Sequence, residues 1–145
     1  MKLPIEEILL KGNYVTAEDV KKAQAWAKDH EGGVLGYFLS VGILTRELVG
    51  QAVAESFKLP FADLVLRPPT PEMVVRIPEE TAKKYNAVVF REDKDSIDVA
   101  SDSPDSAELQ AELAKQFSGK KISLAYAPKE EIKVLFRHYE EPLIL

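Results

Sequence analysis

The sequence predicts an α+β protein: an N-terminal helical lobe of two repeated helical hairpins, residues 1–58, followed by a small α/β sandwich lobe, residues 59–145. Two observations predict this division. The first lobe carries apolar residues at helical spacing in two similar copies, and from Leu59 the spacing changes to the alternation of a strand. We therefore expect the lobes to meet between Phe57 and Pro71, no strand in residues 5–55, and a sheet after Phe61.

The helical lobe contains an internal repeat. Residues 8–16 resemble residues 38–45, with an offset of 30 at the glycines Gly12 and Gly42 and of 29 at the threonines that end the two stretches. The pattern predicts a hairpin in each copy. The first helix ends at the glycine, which takes the left-handed conformation, and the threonine caps the second helix.

The second lobe is expected to mix short strands and helices. Residues 59–66 alternate between apolar and other residues before a Pro-rich connection, which indicates a short strand or extended stretch. The expected elements beyond it are helices at about 71–76 and 78–85, a strand hairpin of 87–91 and 96–100, a helix at 107–117, a strand at 121–127 and a last helix from Pro128. Gly119 is expected to end the helix before the last strand.

Composition excludes several classes of function. The net charge of −5 disfavours nucleic acid as a partner, because such binding depends on clustered Lys and Arg. The absence of Cys excludes disulfides, Cys-ligated metals and thiol catalysis. The two histidines have no metal-ligand spacing, so we expect no metal site. The acidic residues between Asp93 and Asp105 do not match a calcium loop and are better explained by a hairpin tip and a helix cap.

No segment predicts direct membrane insertion. The longest uncharged stretch, residues 32–45, is too short to span a bilayer, and the N-terminus lacks the features of a signal peptide. We therefore expect a cytoplasmic protein.

Four stretches are notable for their order and spacing. They are Leu35-Gly36-x-x-Leu39-x-x-Gly42-Ile43-Leu44-Thr45, Leu59-Pro60-Phe61-Ala62-Asp63-Leu64, Ile77-Pro78-Glu79-Glu80, and Val99-Ala100-Ser101-Asp102-Ser103-Pro104-Asp105. Together they resemble the N-terminal domain of the assembly ATPases of type II secretion and type IV pilus systems, and the resemblance covers nearly the whole chain. It implies a domain without chemistry of its own, which docks to the cytoplasmic part of an inner-membrane platform protein and to the ATPase's own C-terminal motor domain. Its location would then be peripheral to the inner membrane.

The motor itself is not expected within these residues, because no glycine is followed by the Lys-Ser or Lys-Thr of a phosphate-binding loop. No nucleophile and base can be paired from the sequence either, so we expect no catalytic residues. If the ATPase exists, it would lie beyond Leu145.

The resemblance also implies an alternative function, cyclic di-GMP sensing. The residues that match the ligand motif are Leu9, Gly12, Leu35, Gly36, Leu39 and Gly42. The family motif opens with Arg-Leu-Gly, whereas the second copy here reads Val34-Leu35-Gly36 and the first aligns as Pro4-Ile5-Glu6. An arginine fork can engage guanine or phosphate in two bonds at once. We therefore expect weak binding or none.

Other local features allow two interpretations each. The glycines of residues 32–36 either cradle a phosphate or form a turn with one closely packed glycine. Trp26, with Tyr37 and Phe38, either fills the helical core or forms an exposed aromatic patch. The apolar tail of residues 142–145 is either a linker or a docking strand.

A partner surface is expected on the helical lobe. Val41, Ile43 and Leu44 exceed what a short hairpin needs for its own packing, so we assign these three residues to partner binding.

Overall fold

The computed structural model describes residues 4–140, and the tail of residues 142–145 lies outside them. The chain divides into two compact units between Ser56 and Phe57, two residues before the division predicted from the sequence. The described residues form eight α-helices, one 3₁₀ helix and three strands, which confirms the predicted α+β class.

The first unit is entirely helical. Its helices are α1 (Ile5–Lys11), α2 (Ala17–Ala27), α3 (Gly33–Ser40) and α4 (Arg46–Ser56). Residues 5–55 contain no strand, as expected. Thr16 caps α2 as predicted: its Oγ1 accepts the amide of Asp19 at 3.1 Å, while Asp19 accepts the amide of Thr16 at 3.0 Å. Thr45 accepts the amide of Leu48 at 3.2 Å and caps α4.

The end of α1 differs from the prediction. Gly12 has a φ of −81°, and the left-handed residue is Asn13 with a φ of 61°. The amide of Asn13 donates to the carbonyl of Leu10, and that of Tyr14 to the carbonyl of Leu9, which closes the last turn. Asparagine tolerates this conformation better than most residues. The prediction for Gly12 is therefore wrong.

The repeat consequently has a single offset. Gly42 is left-handed as predicted, with a φ of 78°, and it lies 29 residues after Asn13, the same offset as between the two capping threonines. At this offset Leu9 corresponds to Phe38, and both are fully buried. The core of this unit consists of Ile8, Leu9, Val15, Val20, Ala23, Phe38, Leu44 and Ala52.

The second unit is built around a three-stranded sheet. Its strands are β1 (Ala87–Glu92), β2 (Ser96–Ser101) and β3 (Lys121–Tyr126), in the order β1-β2-β3. β1 and β2 form the predicted antiparallel hairpin, with a bulge between Val89 and Arg91. β2 and β3 are parallel and are connected through α7 (Ala107–Gln116). The sheet after Phe61 is therefore as expected.

Short helices accompany the sheet and share its core. They are α5 (Pro71–Val74), α6 (Glu79–Tyr85), α8 (Lys129–Lys133) and the 3₁₀ helix Val134–Tyr139. The largest fully buried side chains of this unit are Ile77, Ile97, Leu109, Leu113 and Ile132. At the hairpin tip the carboxylate of Asp93 accepts the amides of Asp95 and Ser96, as expected, whereas the N-cap of α7 is Ser106 and not one of the acidic residues.

Residues 59–66 do not form a strand. Only Phe61 makes a bridge, to Tyr126 of β3, and the chain then turns at residues 64–66. The cause is Asp63, whose carboxylate accepts the amide of Leu66 at 3.1 Å and whose carbonyl accepts that of Arg67. The alternation in this stretch therefore reflects a short bridge followed by a turn.

Candidate functional site

An exposed apolar surface lies at the turn between α3 and α4. Leu39, Val41 and Ile43 are 47%, 52% and 37% exposed, and we call these three residues the α3–α4 turn surface. Leu44 was assigned to the same surface, but it is 2% exposed and belongs to the helical core. The assignment of Leu44 to partner binding is therefore wrong. Leu44 follows the turn and Phe38 precedes it, and both side chains pack in the core of this unit.

The second copy of the ligand motif lies at the start of α3. Gly32 is left-handed, with a φ of 95°, and precedes the helix. A Cβ on Gly36 would lie 3.3 Å from the carbonyl oxygen of Glu31 and 3.4 Å from the Trp26 ring, so Gly36 permits close packing. Val34, at the position where the family motif has arginine, is half-buried against the core, as is Leu35. This geometry favours the packing interpretation for Gly36.

The aromatic residues divide between core and surface. Phe38 is fully buried. Trp26 is half-buried and stacks on the exposed ring of His30, with centroids 4.0 Å apart, and it lies 5.9 Å from the ring of Tyr37. Phe38 therefore belongs to the helical core, whereas Trp26 forms a partly exposed aromatic surface together with His30.

The first copy of the ligand motif is placed differently. Leu9 is fully buried, so it cannot contact a ligand, and its counterpart in the second copy is Phe38 and not Leu39. Gly12 lines a groove of about 300 Å³ together with Ile8, Lys11, Ala52, Glu55 and Ser56. No residue of α3 lines this groove, so the motif residues of the two copies are not gathered in it.

The electrostatics of this groove do not suit a dianion. Lys11 forms an ion pair with Glu7, with 3.5 Å between Nζ and Oε1. Glu55 is hydrogen-bonded to Tyr14, and burial together with this carboxylate raises the pKa of the Tyr14 hydroxyl. The Glu55 carboxylate therefore lines the groove, and it would repel a phosphate, which needs hydrogen-bond donors.

A second groove, of about 330 Å³, lies in the other unit and was missed in the sequence. Its lining residues include the apolar Phe61, Leu64, Leu66 and Phe90 and the charged Asp63, Arg67 and Arg91. The sequence signal that could have revealed it is the Asp63 turn before Pro68-Pro69, which exposes Val65 and Leu66. The apparent alternation of residues 59–66 concealed that signal.

Residues 4–140 contain no candidate metal site and no candidate membrane-spanning helix. No three His, Asp or Glu side chains in that range are grouped so that they could hold a metal ion. Over the same range, no helix combines the length and the apolar character needed to cross a bilayer.

The comparisons with known proteins give one family and several solved structures of similar fold. Residues 57–143 match the family model of the MshEN domain. A solved structure of MshE with cdg, the ligand cyclic di-GMP, is 20% identical and superposes with a TM-score of 0.60 over 95% of this chain and 99% of that chain. Two crystal forms of the N-terminal domain of XpsE are each 18% identical over 95% of this chain, with TM-scores of 0.54 and 0.52 over 98% and 99% of their own lengths. At these identities the likeness shows a shared fold. No curated protein sequence gives a match.

Proposed function

Because the chain belongs to the MshEN domain family, whose members are N-terminal domains of type II secretion and type IV pilus ATPases, we propose that it is a non-catalytic docking and regulatory domain. Its proposed partners are the cytoplasmic part of an inner-membrane platform protein and the ATPase's own C-terminal motor domain. The proposed location is the cytoplasmic face of the inner membrane, reached through these partners.

The observation that carries the proposal is the α3–α4 turn surface. Three large apolar side chains are exposed within five consecutive residues, and buried Phe38 and Leu44 on either side hold the turn in place. Clustered apolar side chains on a rigid frame are typical of protein-binding surfaces. The turn surface is thus suited to bury Val41 and Ile43 against a partner.

The docking proposal is tested with the double variant Val41→Ser with Ile43→Ser. Both side chains are already exposed, so the fold should keep its stability, whereas each buried apolar side chain at an interface contributes about 1 kcal/mol or more. We expect binding to the platform protein's cytoplasmic part to weaken at least about tenfold in titration calorimetry. Val134→Ser, a 58% exposed apolar position in the other unit, is the matched control. Unchanged binding by the double variant would refute the turn surface as the docking site.

The absence of catalysis is tested separately. The purified chain is expected to show no turnover of ATP or GTP. Turnover that a single substitution within the chain abolishes would overturn the non-catalytic assignment.

A second candidate function is cyclic di-GMP sensing. What favours it is the cyclic di-GMP complex of MshE, a protein that shares this fold. What weighs against it is the half-buried Val34 where the motif has arginine, and the burial of Leu9 in the first copy. We place this function second and expect weak binding at most.

A further inference from the structure

The turn that follows Phe61 exposes apolar side chains beside a concave surface. Leu66 is 73% exposed and Val65 59%, the two highest values for large apolar side chains among the described residues. Next to them lies the groove of about 330 Å³, with buried Leu64 and half-buried Phe61 and Phe90 in its walls. The groove can accept one or two apolar side chains, and Leu66 at its rim can cover them.

The charged residues that line this groove are two arginines and one aspartate. Arg91 donates from Nε to Asp98 Oδ2 at 2.6 Å, and no other bond of its guanidinium is made within residues 4–140, while its side chain is 78% exposed. The guanidinium of Arg67 makes no hydrogen bond or ion pair to any described residue and is exposed. The one carboxylate in the lining, Asp63, already accepts the amide of Leu66. Terminal nitrogens of two arginines therefore remain as donors in a chain of net charge −5.

Apolar lining residues together with two arginines favour a ligand that has both carboxylates and apolar groups. Arginine binds carboxylates through paired, charge-assisted hydrogen bonds, and the walls favour apolar side chains between those carboxylates. We propose that this groove, lined by residues 61–64, 66–67 and 90–91, binds an acidic segment of a partner protein that alternates carboxylates with apolar side chains.

A peptide fits these observations better than an anionic lipid surface. The groove is concave, whereas a membrane is met by a protruding apolar tip among several basic residues. This proposal does not depend on the docking of the α3–α4 turn surface, because the two surfaces belong to different units.

The experiment uses the chain and a fluorescent synthetic peptide of alternating glutamate and leucine. We expect a dissociation constant on the order of 100 μM by fluorescence anisotropy, and amide shifts in nuclear magnetic resonance spectra that concentrate at residues 61–67 and 90–91. A twin peptide with glutamine in place of glutamate should bind at least about tenfold more weakly, because it loses the charged hydrogen bonds. The variants Arg67→Glu and Leu66→Ser should each weaken binding at least about threefold, since both side chains are exposed and uninvolved in the fold.

The controls are matched in charge and exposure. Lys94→Glu reverses an exposed charge at the hairpin tip, and Val134→Ser removes an exposed apolar side chain outside the groove, so both should bind as the unaltered chain does. Equal affinity for the glutamate and glutamine peptides, or equal binding by Arg67→Glu, would overturn the proposal. Binding to vesicles of phosphatidylcholine and phosphatidylglycerol without binding to the peptide would overturn it too, in favour of a lipid surface. The variant Val41→Ser with Ile43→Ser should leave peptide binding unchanged, so this surface and the α3–α4 turn surface can fail separately.

Discussion

Arg76 binds Glu92 through two parallel hydrogen bonds, Nε to Oε1 and Nη2 to Oε2, each 2.8 Å long. Lys120 adds a third bond to Oε2 and also donates to the carbonyl of Asp93. The Arg76–Glu92 pair thus joins the segment after α5 to the end of β1, and Lys120 joins the loop before β3 to the same carboxylate. The hydrogen bonds from Arg76 and then from Lys120 lower the pKa of Glu92 from 4.5 to about 2.

Replacing this carboxylate should make the second unit less stable. We expect Glu92→Gln to lower the free energy of unfolding by about 1–2 kcal/mol near neutral pH, because two charged hydrogen-bonding partners lose their acceptor charge. The pKa of Glu92 is depressed in the folded state, so its contribution is present above the unfolded pKa and is lost as the pH falls towards about 2. The measurement is urea unfolding followed by circular dichroism. The difference in free energy of unfolding between the unaltered chain and Glu92→Gln should become smaller as the pH is lowered. A difference that does not change with pH would contradict the assignment.

The matched control is Glu79→Gln. Glu79 pairs with Lys83 one helical turn away, at 2.6 Å, but both side chains are about half exposed. Such exposed pairs contribute little to stability, so this variant should lose much less stability than Glu92→Gln.

Tyr139 links the 3₁₀ helix Val134–Tyr139 to the segment between α5 and α6 by hydrogen bonding. Its hydroxyl lies 2.9 Å from the carbonyl oxygen of Val74 and 2.5 Å from that of Ile77, and burial raises the pKa of this hydroxyl to about 12. We expect Tyr139→Phe to lower the free energy of unfolding by about 1 kcal/mol, because the one donor that these two carbonyls share is lost while the ring packing is kept. Tyr85→Phe, in the same unit, is the control. Equal unfolding midpoints for Tyr139→Phe and the unaltered chain would show that the hydroxyl does not contribute.

The elements that the sequence predicted well are those with local causes. Thr16 and Asp19 form a capping box from residues three positions apart, and the hairpin of β1 and β2 was predicted from two short stretches that flank one charged tetrapeptide. The errors come from choices between similar local solutions. Gly12 and Asn13 are both suited to end a helix, and only the bonds to Leu9 and Leu10 show which one is left-handed.

The candidate surfaces were less predictable, because exposure depends on contacts between elements. Leu44 and Ile43 are adjacent and equally apolar, yet Leu44 is buried by packing with the helical core and Ile43 is not. Likewise, period-two apolarity indicated a short strand or extended stretch over residues 59–66, where only Phe61 makes a bridge and Asp63 then stabilises a turn. Sequence patterns therefore located the turn surface within a few residues but could not reveal the Arg67 and Arg91 groove, whose walls come from two separate segments.

Thr16 should contribute measurably to the stability of the helical unit. Its hydroxyl and backbone amide both bond to Asp19, and these hydrogen bonds lower the pKa of the Asp19 carboxyl. We expect Thr16→Ala to lower the free energy of unfolding of this unit by about 1 kcal/mol, as loss of an N-cap usually does. Hydrogen exchange of the α2 amides would measure it, and Thr16→Ser, which keeps the hydroxyl, should restore their protection. Equal protection in Thr16→Ala would contradict the expectation.

Cyclic di-GMP should bind this chain with a dissociation constant above about 1 μM in titration calorimetry, because both copies of the motif lack arginine. The 29-residue offset places Ile5-Glu6-Glu7 opposite Val34-Leu35-Gly36, so the first copy loses the glycine as well and sets carboxylates near a dianion. Each missing charged bond costs about 1.5–3 kcal/mol, and two such losses lower the affinity by about two decades or more. Val34→Arg should then gain about tenfold in affinity and Val34→Lys less, because lysine offers a point charge without the fork. A dissociation constant at or below about 1 μM for the unaltered chain, or equal gains from arginine and lysine, would show that the missing fork does not limit binding.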